Sequence, residues 1–110
     1  MIFEDVQKAR NAHSKAIKDQ EQCINDMAQK QYTLDVTEAL AITALKDAGT
    51  PSTLIPKLAK GNEQVAQAKM ALTIAEGLYK TAQARTQATY NDWKAALEQY
   101  DREWKSGGYQ

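Results

Sequence analysis

The chain predicts an all-α fold: an antiparallel hairpin of two long helices with a short helix in the connecting turn. Three observations predict it. Residues 65 to 100 carry an unbroken heptad pattern, with Val65, Leu72, Tyr79, Thr86, Trp93 and Tyr100 at one core position and Ala68, Ala75, Ala82, Thr89 and Ala96 at the other. Residues spaced alternately three and four apart form the stripe by which one helix packs lengthwise on another. The 5 glycines and 2 prolines all fall at or beyond position 49, and nowhere do β-formers alternate with polar residues over a strand's length. One seam is mostly bulky and the other entirely small, a coiled-coil-like arrangement in which the small seam lets a partner backbone come close.

The first element is a helix over residues 4–48. Phe3, Val6, His13, Ile17, Ile24, Met27, Leu34, Ala41, Leu45 and Ala48 follow a rough three/four spacing, interrupted by Gln20 and Gln31. Polar core positions of this kind fix register at a cost in stability. A break, if there is one, falls at Thr33-Leu34-Asp35-Val36-Thr37, where three β-branched residues gather and Asp35 with Glu38 resembles a capping box. Gly49, one residue past Ala48, suits the left-handed position that ends a helix.

Thr50 to Thr53 is turn and cap material around Pro51. Pro56 is tolerable only in a first turn, so the short helix reaching Lys60 is expected to start at about Ser52 or Thr53. Gly61-Asn62 is a second stop and start, with Asn62 as N-cap of the last helix. That helix spans 62–105, and 106–110 frays. Pairing the long helices about the 49–61 turn sets Leu45 against Val65, Leu34 against Ala75, Gln31 against Tyr79, Ile24 against Thr86, Ile17 against Trp93 and Val6 against Trp104. The whole of 1–110 reads as one domain, small for burying a core of its own.

Further apolar residues lie off the seam: Met70, Ile74 and Leu78 on the last helix, and Val36 and Leu40 on the first. Leu54, Ile55 and Leu58 are placed to cover one set, leaving the other for contact with a second copy. Two helices bury little area against the entropy they must overcome. The expectation is a symmetric dimer forming a four-helix bundle.

Charge narrows the functional classes. The 14 basic and 14 acidic residues balance. The mild excess at Lys57, Lys60, Lys69, Lys80, Arg85 and Lys94 over Glu63, Glu76 and Asp92 is not the dense stripe that phosphate neutralisation uses. Nor is the chain acidic enough to imitate DNA. Cys23 is the lone cysteine, which excludes an internal disulfide, as expected of a cytosolic protein. The N-terminal residues lack the basic and apolar regions of a signal peptide, and no apolar run approaches the ~20 residues that span a bilayer.

Chemistry is equally sparse. His13 and Cys23 lie about 15 Å apart along one helix, too far to share a metal. Position 10 is Arg, so His13 lacks the glutamate of a carboxylate di-metal site. Cys23 has no basic neighbour one helical turn away and reads as a packed thiol. Ala59-Lys60-Gly61-Asn62 lacks the rest of a phosphate loop. No catalytic residue, cofactor or metal is expected. Trp93, Tyr100, Trp104 and Tyr109 gather near one end, opposite Ile2, Phe3 and Val6. There the bland reading is terminal packing and the sharper one a partner-binding patch, with Trp104 off the seam.

Three stretches carry a resemblance. They are Ala44-Leu45-Lys46-Asp47-Ala48-Gly49-Thr50-Pro51-Ser52-Thr53-Leu54-Ile55-Pro56-Lys57-Leu58-Ala59-Lys60-Gly61, Ile74-Ala75-Glu76-Gly77-Leu78-Tyr79-Lys80, and Arg102-Glu103-Trp104. Together they resemble small helical proteins encoded by bacteriophages and prophages of Gram-positive bacteria, often among early recombination and replication genes. The resemblance implies an infected bacterial cytoplasm and no activity. The expected function is therefore non-enzymatic binding of a host or phage protein, as an accessory to phage DNA metabolism or an inhibitor of a host machine or defence system. The expected contact residues are Trp104, Tyr109, Leu54, Ile55, Lys57 and Leu58. The alternatives are a nucleic-acid-binding accessory using Lys57, Lys60, Lys69, Lys80 and Arg85, a virion part, or a helical-hairpin secretion substrate, whose central Trp-x-Gly turn is missing here.

Overall fold

A computed structural model describes residues 2–107. It contains α1 (Ile2–Asp47), α2 (Ile55–Lys60) and α3 (Glu63–Gly107). The chain divides into two compact units, Met1–Gln22 with Lys80–Gln110 (the terminal unit) and Cys23–Tyr79 (the turn unit). In each, α1 and α3 pack side by side in opposite directions.

α1 passes through Thr33–Thr37 without a break. Local bonds explain why. The Asp35 carboxylate accepts from the Gln31 amide at 3.0 Å, one turn earlier, instead of capping a new helix. The hydroxyls of Thr37 and Thr43 donate back to the carbonyls of Thr33 and Ala39, at 2.6 and 2.9 Å, so these residues spend their polar groups along the helix.

The helix ends follow their residues' chemistry. Gly49 takes φ +79°. Its N–H donates to Lys46 O and the Thr50 N–H to Leu45 O, both at 3.0 Å, the paired bonds of a Schellman motif. α2 begins at Ile55, later than the expected Ser52 or Thr53. A turn closed by Leu54 N–H donating to Pro51 O (2.9 Å) occupies those positions, and Pro56 falls in the first helical turn. α2 stops at Gly61, as expected, with the glycine right-handed at φ −79°. Asn62 starts α3, its Oδ1 accepting the N–H groups of Gln64 and Val65 at 2.9 and 3.1 Å.

The two glycines therefore predict different outcomes. Gly49→Ala forces a Cβ into the left-handed region and is expected to cost about 1–2 kcal/mol. At Gly61 a Cβ would meet carbonyl oxygens no closer than 3.6 Å. Gly61→Ala should leave stability unchanged or raise it by up to about 1 kcal/mol. Urea unfolding of both variants checks the contrast.

The turn unit holds the main apolar cluster, Leu34, Val65 and Leu72, with Met27, Ala41 and Ala68 packed against it. Ala75 is buried nearby at 2% exposure. α2 buries Ile55 and Ala59, which lie on one face a single turn apart, and leaves Leu54 and Leu58 exposed.

In the terminal unit the pairing departs from expectation. The Thr86 hydroxyl lies 3.2 Å from the carbonyl of Ala16, two turns away from the expected Ile24, and shares its proton with Ala82 O at 3.0 Å. Trp93 stacks near His13, one turn from the expected Ile17. Ile17 and, in the turn unit, Ile24 are exposed. In the terminal unit the inward line of α1 instead runs through Val6, Ala9, His13, Ala16 and Gln20. The cause is steric. Ala9 and Ala16 on α1 and Ala82 and Ala96 on α3 let the backbones approach until a threonine hydroxyl spans the gap, which isoleucines in those places would prevent.

Candidate interaction surfaces

The polar interior of the terminal unit centres on His13. Its Nδ1 lies 3.1 Å from Thr89 Oγ1. The Thr89 hydroxyl also lies within hydrogen-bond reach of the α3 carbonyls of Arg85 (2.9 Å) and Thr86 (3.0 Å). The imidazole centroid is 5.7 Å from those of both Tyr90 and Trp93. Trp93 Nε1 is buried with no acceptor among the described residues. This cluster is a polar pin in a seam of small residues, and polar core groups of this kind set register. It offers no metal centre: among the described residues no group of three His, Cys, Asp or Glu is placed to hold an ion. The groove beside it, bounded by Asp5, Lys8, Ala12 and Asp92, is open and of mixed charge.

The terminal aromatics divide. Tyr100 faces inward and packs on Phe3, ring centroids 6.0 Å apart. Trp104 is 67% exposed. Tyr90 and Leu97 are exposed too, and all three lie four residues past an inward residue (Thr86, Trp93 and Tyr100), so they line one side of α3. Sequence reading singled out Trp104 and missed the other two, although the seven-residue repeat was there to find. Tyr109, expected beside Trp104, lies outside the described residues.

Leu54, the N-cap of α2, and Lys57 and Leu58 within it are exposed, as a contact surface requires. Ile55 is not: at 7% exposure it belongs to the interior and drops out of the expected set. The expected basic residues are all exposed. Lys57 and Lys60 sit on α2 and Lys69 on α3 in the turn unit. In the terminal unit Lys80 and Arg85 are five residues apart on α3 and so point about 140° away from each other.

No family model, curated protein or solved structure matches the chain. Among the described residues, no helix is long and apolar enough to cross a membrane.

Proposed function

We propose that the protein is a non-enzymatic interaction module that binds another protein through exposed apolar residues on its helices, and that two copies associate as a four-helix bundle. The observation that carries the reading is Trp104, a tryptophan held 67% exposed on α3. Tryptophan dominates binding hot spots, and a large apolar ring left in water on an ordered helix is a surface awaiting a partner. Tyr90 and Leu97 extend it along the helix. The resemblance of residues 44–61 to phage-encoded helical proteins supports a bacterial host as the setting. The partner is then a component of phage DNA metabolism, or a host machine that the phage inhibits.

A tagged pull-down from nuclease-treated host lysate, read by mass spectrometry, tests this. One enriched protein is expected. Trp104→Ala should cut its recovery at least about tenfold while leaving the helical circular dichroism unchanged, because the side chain is exposed. Enrichment that disappears with nuclease would instead favour nucleic acid bound through Lys57, Lys60, Lys69, Lys80 and Arg85.

A further inference from the structure

The terminal unit gathers its exposed apolar residues on one flank. On α1, Phe3, Arg10 and Ile17 follow at seven-residue steps, each three residues before an inward residue (Val6, His13 and Gln20). On α3, Tyr90, Leu97 and Trp104 follow at the same step, each four residues past an inward one (Thr86, Trp93 and Tyr100). Three before and four past are the same place on a heptad, so both lines are turned equally from the seam. A two-fold axis normal to the plane of an antiparallel pair exchanges the helices but not the flanks, so equal turns face one way. The ring contacts agree. Phe3 meets Tyr100 and Tyr90 meets His13, with centroids 6.0 and 5.7 Å apart, so residues of this flank reach across to the opposite helix. Residues turned the other way, Ala9 and Ala12 on α1 with Thr89 and Asp92 on α3, bound one groove on the opposite flank.

The five apolar residues are 39–67% exposed. At ordinary residue areas they present roughly 600 Å², the upper end of the largest apolar patch on a typical monomer. From Ile17 to Trp104 the strip runs about five helical turns, ~27 Å. Two cations interrupt it. Phe3 packs on Tyr100 and Ala16 meets Thr86, which sets Arg10 opposite Trp93 and within ~3 Å of Lys94 along the axis. Lys94 stands four residues past Tyr90 and three before Leu97, on the outer edge of the same flank. Both cations are exposed, and neither has a carboxylate partner among the described residues. Asp101, further along the flank, is held by Lys105 at 3.0 Å.

We infer that this flank takes an amphipathic helix of another protein, with apolar residues at both ends of its contact stripe and one or two carboxylates in the middle. The inference rests on the interaction reading above and assigns its partner's chemistry. Length and shape suit a helix of about 18 residues laid along the groove between α1 and α3. Charge selects which helix. A wholly apolar occupant would bury Arg10 and Lys94 unpaired, which is costly. A central carboxylate removes that cost and gives the Arg10 guanidinium the planar partner it binds best. The same cations disfavour a second copy of this chain. Two-fold pairing centred on the strip would set Arg10 and Lys94 against their own equivalents.

The test is selection from an mRNA-displayed library of 18-residue helices, with apolar residues at alternate three- and four-residue steps and every other position random. The bait is the full chain. Recovered peptides are expected to carry Asp or Glu at the middle of the apolar stripe. Arg10→Glu with Lys94→Glu should weaken them at least about tenfold and should select Lys or Arg at the same place. Circular dichroism should not change, because both side chains are exposed. Trp104→Ala should weaken both sets. The control pair Lys8→Glu with Lys15→Glu makes the same change in net charge away from this flank and should leave binding intact. Peptides with no acidic preference, peptides indifferent to Arg10→Glu with Lys94→Glu, or no recovery above background would each overturn the inference. So would a dimer in sedimentation equilibrium that dissociates on Tyr90→Lys with Leu97→Lys, which would give the flank to a second copy. Failure here is separable from failure of the reading above. A lysate protein lost with Trp104→Ala but retained by Arg10→Glu with Lys94→Glu would keep the interaction module and overturn the acidic helix.

Discussion

Leu72→Ala is expected to lower the unfolding free energy by about 3 kcal/mol. Leu72 is 8% exposed, in the apolar cluster with Leu34 and Val65. The shortened side chain leaves a cavity, and its partners cannot close it. Ala41 and Ala68 are too short to reach, and Leu34 and Val65 are already committed to the same contact. The loss combines the transfer free energy of the missing carbons with the dispersion contacts their neighbours forfeit. Against the ~5–15 kcal/mol stability of a typical domain this is a large fraction. Urea unfolding followed by circular dichroism measures it, with Leu97→Ala as the reference, since Leu97 is 41% exposed and should cost under about 1 kcal/mol. Equal losses at the two positions would contradict the burial of Leu72. Leu34→Ala should cost a similar amount, but the two losses will not add, because the residues share one cluster.

The features legible in the sequence were those with a single physical solution. The strict seven-residue repeat of α3 identified Val65, Leu72 and Ala75 as inward, and all three are buried. Gly49 and Asn62 announced their helix ends because few other residues supply a left-handed backbone or a capping oxygen. The seam of α1 was less legible because two lines of residues competed for it. Ile17 and Ile24 are large and drew the reading toward themselves, while Ala9 and Ala16 say little by hydrophobicity alone. Which line faces inward depends on how closely the backbones approach, a property of both helices together. α2 failed for another reason: six residues are too few for periodicity to choose Ile55 over Leu54 and Leu58. Trp104 was legible as soon as the α3 repeat was counted, because it lies off that repeat.

Ala16→Leu is the second large effect, and it separates the two possible seams of α1. Ala16 is 2% exposed, and its carbonyl is reached by the Thr86 hydroxyl at 3.2 Å. A leucine there has no room unless the helices part. Parting breaks that bond and draws Ala82 and Ala96 away from α1, so the small residues that permitted the close approach lose their contacts with it. Overpacking of this kind is expected to cost about 3 kcal/mol, although leucine is the more hydrophobic residue and a good helix former. Ile17→Ala should cost under about 1 kcal/mol, since Ile17 is already 39% exposed. A seam running through Ile17 predicts the reverse order, with Ile17→Ala opening a cavity and Ala16→Leu adding apolar surface at a harmless outer position. Urea midpoints of the two variants, measured beside the parent at one protein concentration, decide between these packings. The sign of their difference is enough, because it does not depend on how accurately either magnitude is known.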